Sequence, residues 1–536
     1  MIRRAVPAVL FLATLGLLGA DVRGERDLRG GDALVRVYDD ILDARFDQAE
    51  TELARACDPL DPARASGSSR AMSRDEGLRA GPAPREACDV LAATATWWRI
   101  LLDPDDHALD DRFSTEVDRA IASTEAWTAR EPDNAEAHFY TGAAYAARVQ
   151  WRVLRDEKLA AARDGKRIKQ ALERAIALDP GLEDAYFGIG LYKYYADVAP
   201  TAAKVLRFLL MLPGGNKGEG LAQMRRARTE GRLLRGEADY QLQVIYLWYE
   251  RRTDLAVQLL GSLHDRYPGN PLFAAQLADV QDRYLHDITA SLETWRGLLA
   301  DAREQHVQEA GLAEAQARLG AARQLEALAQ TDDALEQLRA VIDGKAARPH
   351  GALAAAYLGF GEGEDRLGHH DAALAAYRLA IANAPADGDP QNIRQRAAER
   401  MRHTPDPIRA EAYRLSLEGL RMLGRSDAPG AEALLARSVT LDPRDPVARY
   451  RYGRALQARR EHAAALGQFD AVIRGARDCP PPIAASAYLE AARMHERLAQ
   501  RQQAIDDYRA ASTWFGGAAD TRAAARRALT RLHDAK

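Results

Sequence analysis

Between residues 410 and 477, small and large apolar side chains return at a fixed interval. Gly419 and Gly453 are 34 positions apart, and so are Ala431 and Ala465, and Leu435 and Phe469. In each copy a small residue is followed by Ala twelve positions on and by a large apolar residue four after that. Asp442-Pro443 closes the first copy. Polar residues take the other positions, so each copy reads as two short amphipathic helices. The glycine lets the first helix approach its partner closely, the alanine does the same from the second, and the large residue fills the space between neighbouring pairs. The pattern predicts an all-α protein with no sheet, a right-handed α-solenoid of stacked helix-turn-helix units.

The same spacing recurs along the chain. Residues 352–385 keep it at Gly361, Ala373, Tyr377 and Pro385, residues 237–268 at Val244, Ala256, Leu260 and Pro268, and residues 485–511 at Ala492, Ala504 and Tyr508. Looser copies run over 272–299 and 312–342. The unit at 137–180 has longer helices, marked by Gly142, Tyr145, Ala171, Leu172 and Ala175. The unit at 183–231 carries Tyr186 and Gly190, then an apolar insertion at 195–213 that includes Phe208-Leu209-Leu210-Met211-Leu212 before Pro213-Gly214-Gly215. The expected organisation is a tail at 21–32, a first repeat at 33–58 and a flexible Gly-, Ser- and Pro-rich loop at 59–85. A long solenoid follows at 86–385, then a polar linker or hinge at 386–408, a carboxy-terminal repeat block at 409–515 and a capping helix at 516–536.

A 34-residue period of paired helices resembles the tetratricopeptide repeat family, over most of the chain and with roughly ten units. Residues 186–273 also look like a segment of exported bacterial repeat proteins. Its marks are a Gly-x-Gly-x-Tyr-x-Tyr-Tyr helix (Gly188, Gly190, Tyr192, Tyr194, Tyr195), the Pro-Gly-Gly break and a Tyr-Pro-Gly-Asn-Pro ending. This second resemblance implies an exported compartment and no activity. The expected function, a non-enzymatic scaffold for a protein or peptide partner, rests on the surface that remains once catalytic motifs are set aside.

The amino terminus adds a compartment. Arg3 and Arg4 precede an uncharged, mostly apolar run to Leu18, and Gly19-Ala20 offers small residues for cleavage. Residues 1–20 therefore read as a signal peptide, with an uncleaved anchor as the alternative, and the expected location is the periplasm or cell envelope. In an oxidising compartment Cys57 and Cys88 could close a disulfide across the 59–85 loop, or remain two small buried apolar residues. A net charge of −4, with arginines interleaved with acids, argues against a nucleic-acid partner.

Candidate chemistry is thin. There is no His-Glu-x-x-His, Cys-x-x-Cys or Gly-x-Ser-x-Gly, and no catalytic residue, metal or cofactor is expected. His369 and His370 read as a turn pair, and Asp103 to Asp111 as a solvated acidic turn. What remains is the inner surface of the superhelix. Helical spacing aims Phe139, Phe187, Leu191, Tyr194, Tyr195, Gln241, Ile245, Trp248 and Tyr249 at it as a partner-binding groove. The competing reading buries these aromatics under the 195–213 insertion. The carboxy-terminal units offer a mixed charged surface instead, with Glu362, Asp365, Arg366, Tyr450, Arg454, Gln457, Arg493, Glu496 and Arg497. An alternative function has the insertion, with Lys204 and Arg207, make a weak contact with a membrane surface. Oligomeric state is left open.

Overall fold

The computed structural model describes residues 28–57, 81–198, 214–386, 388–389 and 391–534. The expected signal segment, residues 21–27 of the tail, the loop from 58 to 80 and the insertion from 199 to 213 lie outside the described residues. Every regular element among the described residues is helical. In chain order the helices are α1 (Gly31–Leu42), α2 (Phe46–Ala56), α3 (Arg85–Leu102), α4 (Asp110–Arg130), α5 (Ala135–Leu154), α6 (Lys158–Leu178), α7 (Ala185–Val198) and α8 (Lys217–Glu230). Then come α9 (Arg235–Trp248), α10 (Thr253–Arg266), α11 (Pro271–Arg283), α12 (Ile288–Arg303), α13 (Ala310–Ala327), α14 (Thr331–Asp343), α15 (Ala352–Arg366) and α16 (His370–Asn383). The rest are α17 (Ile393–Arg400), α18 (Pro407–Gly424), α19 (Ala428–Leu441), α20 (Pro446–Ala458), α21 (His462–Arg474), α22 (Pro481–Arg497), α23 (Arg501–Thr513) and α24 (Ala519–Asp534). Apart from α17 and the terminal α24 they pack as consecutive antiparallel pairs, which makes the chain an α-solenoid.

Each end of a pair has its own device. Inside a pair the chain turns through a left-handed residue, at Ala44, Asp156, His286, Ala329, Gly368, Ser426, Arg460 and Ala499. The next N–H then reaches back across the turn, as from Arg45 to the Asp40 carbonyl at 2.8 Å and from Gln330 to the Leu325 carbonyl at 2.8 Å. These are Schellman closures, and most use a residue other than glycine. Between pairs the incoming helix is capped by an Asn or Asp side chain, at Asn134, Asn270, Asp406 and Asp445. Proline stands at the first helical position after the last three of these, where its missing N–H costs nothing.

The glycines read as close-approach positions do that work. A Cβ on Gly419 would stand 2.5 Å from Leu435 and one on Gly453 2.6 Å from Phe469. At Gly190 the obstruction is backbone, the Gly220 carbonyl oxygen at 2.7 Å, so α7 and α8 cross nearly in contact. The long unit is the α5–α6 pair, with helices of 20 and 21 residues.

The expected 386–408 linker is corrected in part. It holds α17, whose Ile393 and Ala397 are buried against α15 and α16. Asp389 accepts from the N–H groups of Ile393 and Arg394 at 2.7 and 2.8 Å. Two apolar residues four apart among arginines gave too weak a stripe to predict a helix.

The superhelix closes on itself. Tyr267 Oη donates to Asp39 Oδ1 at 2.8 Å, Gly269 N to Asp43 Oδ1 at 2.7 Å and Asn270 Nδ2 to the Leu42 carbonyl at 2.7 Å, all 226–228 residues apart in sequence. Trp98 of α3, wholly buried, lies 4.9 Å from the Tyr240 ring and 6.0 Å from Phe273. The next turn repeats this, with His350 N donating to both oxygens of Asp103 at 3.0 Å. Farther on, Phe515 packs on His286 at 5.5 Å. One core therefore joins α1 to α7 with Tyr240, Leu263, Phe273 and Leu312, separate cores lie within 186–280 and 274–356, and the carboxy-terminal pairs bury smaller clusters. Cys57 and Cys88 are disulfide-bonded, with Cα atoms 6.5 Å apart, which ties α2 to α3.

Candidate functional site

Two hollows lie on the inner side of the coil, and they differ in chemistry. The first is a mainly apolar cavity of about 390 Å³, walled by α3, α5, α6 and α7, with Tyr38 of α1 and Glu237 of α9 at one end. Helices that narrow must carry small residues on the facing side, and here Ala143, Ala146, Ala162 and Gly165 leave the space open. Leu91, Phe139, Ile168, Leu172 and Phe187 supply the apolar wall.

Its polar end is a network. Tyr38 Oη donates to Glu237 Oε2 at 3.0 Å, and Gln241 Nε2 donates to Glu237 Oε1 at 3.2 Å and to Gln150 Oε1 at 2.9 Å. Burial pushes the Glu237 carboxyl above its ordinary range, and the bonds from Gln241 and Tyr38 pull it partly back. Asp184, also at the wall, is raised by burial and lowered by the backbone N–H groups of Leu234 and Arg232, which donate at 2.8 and 3.2 Å.

The predicted groove residues divide among different places. Phe139, Phe187, Leu191 and Tyr195 line this cavity. Gln241 belongs to its polar end. Tyr194 and Ile245 are corrected from groove to core, since both are wholly buried. Tyr194 donates to Glu250 at 2.6 Å and its ring meets Tyr195 and Tyr249 edge-on at 5.6 and 6.0 Å. The helical spacing was right, but α8 lies so close to α7 that a Cβ on Gly220 would stand 3.1 Å from that of Tyr194, and Tyr195 and Tyr249 cover the rest of the ring. Trp248 and Tyr249 end α9 and are 65% and 45% exposed.

The second hollow is an open groove of about 920 Å³ along α11, α13, α15 and α17, and it runs on into a further 600 Å³ beside α18 and α20. The two parts share Glu326, Asp365, Arg366 and Pro405. Its walls are charged. Arg366 pairs with Glu326 at 3.0 Å, Arg323 with Asp279 at 3.4 Å, and Arg396 and Arg400 both reach Glu362 at 3.3 and 3.2 Å. Burial raises Glu326, with Arg366 opposing it. Glu362, Asp365 and Arg366 thus stand on the groove wall where the sequence spacing puts them. The groove's share of α17 escaped the sequence reading, because that helix did.

No family model matches the chain, and no curated protein does either. Among solved structures, the TPR2AB domain of yeast Sti1 in its pHSP90 complex is similar at 14% identity, over 56% of this chain and 97% of its own, with a TM-score of 0.20. A tetratricopeptide repeat protein from Parabacteroides merdae aligns at 15% identity over 56% and 98%, with a TM-score of 0.25. Human IFIT1, a dimer with m7Gppp-AAAA, aligns at 13% over 80% and 78%, with a TM-score of 0.28. By its stacked helix pairs the chain resembles the tetratricopeptide repeat proteins.

The remaining candidates are placed as follows. His369 caps α16 and His370 opens it, and their Nδ1 atoms meet Glu364 and Asp365 at 2.7 and 2.8 Å. In the acidic turn, Arg155 holds Asp110 and lowers its pKa against the effect of burial. Among the described residues no group of three or more His, Cys, Asp and Glu side chains is placed to hold a metal, and no helix is long and apolar enough to cross a membrane.

Proposed function

We propose that the chain is a non-enzymatic scaffold that holds an extended segment of a protein partner in the charged groove. The observation that carries this reading is the continuity of that groove along α11 to α20, longer than a small molecule needs and open along its length. Its side chains pair with one another, Arg with Glu or Asp, so they present both signs and suit a mixed-charge peptide better than a phosphate backbone. The titratable groups on its walls are spent on one another rather than on an activated nucleophile. The amino-terminal segment supports a place in the cell envelope.

Arg396 and Arg400 share one carboxylate and are 46% and 57% exposed as side chains, so they can turn to a ligand. Crosslinking pull-down from envelope fractions, with wild type, with Arg396→Glu/Arg400→Glu and with Trp248→Ala, tests the reading. The double variant is expected to lose the partner and Trp248→Ala to keep it. The reverse pattern would move the partner site to the exposed end of α9.

A further inference from the structure

The apolar cavity is not needed for the partner scaffold, and its lining departs from ordinary helix packing. Interiors are filled to crystal-like density, and a void loses stability in proportion to its volume. A space of about 390 Å³ is within the range of small-molecule pockets, which are mostly apolar with a few placed polar groups. Two lining side chains carry such groups with nothing to bond. Tyr140 Oη and Trp97 Nε1 are buried donors without a hydrogen-bond partner among the described residues, on side chains 0% and 5% exposed. A buried donor left unpaired is costly, so an acceptor oxygen on a ligand would satisfy it.

Charge narrows the class. The lining acids are Asp184 and Glu237, both buried, and the sole lining cation among the described residues is Lys158, exposed at the outer end and paired with Asp156. An anionic head carried inside would meet Asp184 and Glu237 with no cation beside them among the described lining residues. Leu159 beside Lys158 is exposed and also lines the cavity, which places the entrance at the start of α6.

We propose that this cavity binds an uncharged, mainly hydrocarbon amphiphile, an alkyl or acyl chain ending in an alcohol or ester oxygen that accepts from Trp97 Nε1. The chain lies along the Ala143–Ala146 side of α5 and enters past Leu159.

The test is calorimetric titration of the full chain at neutral pH with dodecanol, methyl dodecanoate and dodecanoate. Binding of the alcohol and ester is expected, with dodecanoate weaker by about tenfold or more. Ala146→Phe fills the cavity from a half-buried position and should abolish uptake while its melting temperature holds or rises. Trp97→Phe removes one donor and should weaken alcohol and ester binding while narrowing their advantage over dodecanoate. If wild type takes up none of the probes, or Ala146→Phe binds as well as wild type, the proposal fails. Uptake that appears only after residues 199–213 are deleted would assign the cavity to the chain's own apolar segment instead. Equal binding of all three probes would overturn the neutral-head assignment.

Discussion

Asp507, in α23, has His495 Nε2 3.5 Å from its carboxylate and feels Asp470 and Asp506 as well. Burial outweighs the histidine and pushes the carboxyl up to about 6, from an ordinary 3.8. An acid raised in this way binds its proton more tightly in the folded state. Its stabilising share is complete below the unfolded value and is lost as pH rises through about 6. Asp507→Asn should therefore raise stability at neutral pH by about 1–2 kcal/mol, discounted for residual exposure, and change little below about pH 4. Melting curves of both proteins across pH check this. Among the predicted groove aromatics the contrast is between Trp248 and Tyr194. Trp248→Ala should leave the melting temperature nearly unchanged, within about 0.5 kcal/mol, because the ring is exposed. Tyr194→Phe removes the donor to Glu250 and should cost about 1 kcal/mol. Sequence spacing put Tyr194 and Trp248 on the same inner face, and it could not separate them, since it says nothing of how far the neighbouring helix stands away.

Among the elements, the α7–α8 crossing is the tightest test of packing. Gly190→Ala would drive a methyl against backbone and should cost about 1–3 kcal/mol by overpacking. Gly297, exposed in mid-helix in α12, has nothing within 4 Å of its missing Cβ. Gly297→Ala should stabilise by about 0.5–1 kcal/mol. Thermal melts that ranked the two alike would contradict the close approach. Glycines with this role were legible because the same spacing to alanine and to a large residue recurs around them. The left-handed turns were not, because Ala44, Ser426 and Arg460 are no marker of positive φ. The helix α17 was hidden by composition, with Ile393 and Ala397 its only buried residues.

For the whole molecule, the large core that joins α1 to α7 with residues of α9, α10 and α11, and the small clusters of the carboxy-terminal pairs, set two levels of cohesion. Hydrogen exchange should therefore open the pairs from α18 onward before α3, α5 and α11, and uniform protection along the chain would contradict this. Asp103→Ala leaves the His350 N–H without its acceptor across the turn of the superhelix. It should cost about 1–3 kcal/mol and enlarge the radius of gyration seen by solution scattering. The solenoid was legible from local spacing. Its closure was not, because Tyr38 with Glu237 and Asp103 with His350 are 199 and 247 residues apart and no repeat period relates them. The cavity meets the same limit only at its polar end, where the closure brings Tyr38 to Glu237.

That closure bears on the order in which the protein is made. In an open array each unit settles on the one just completed. Here α1 waits for Glu237, Tyr267 and Asn270, about 200–230 residues later. At roughly 5–20 residues per second, synthesis leaves it unseated for roughly 10–45 s. Through that interval α1 can pack on α2 and α3, while Asp39, Asp43 and the Leu42 carbonyl stand without the donors they later accept from. The first described helix is thus settled in two steps, on α2 and α3 early and against α9 to α11 much later.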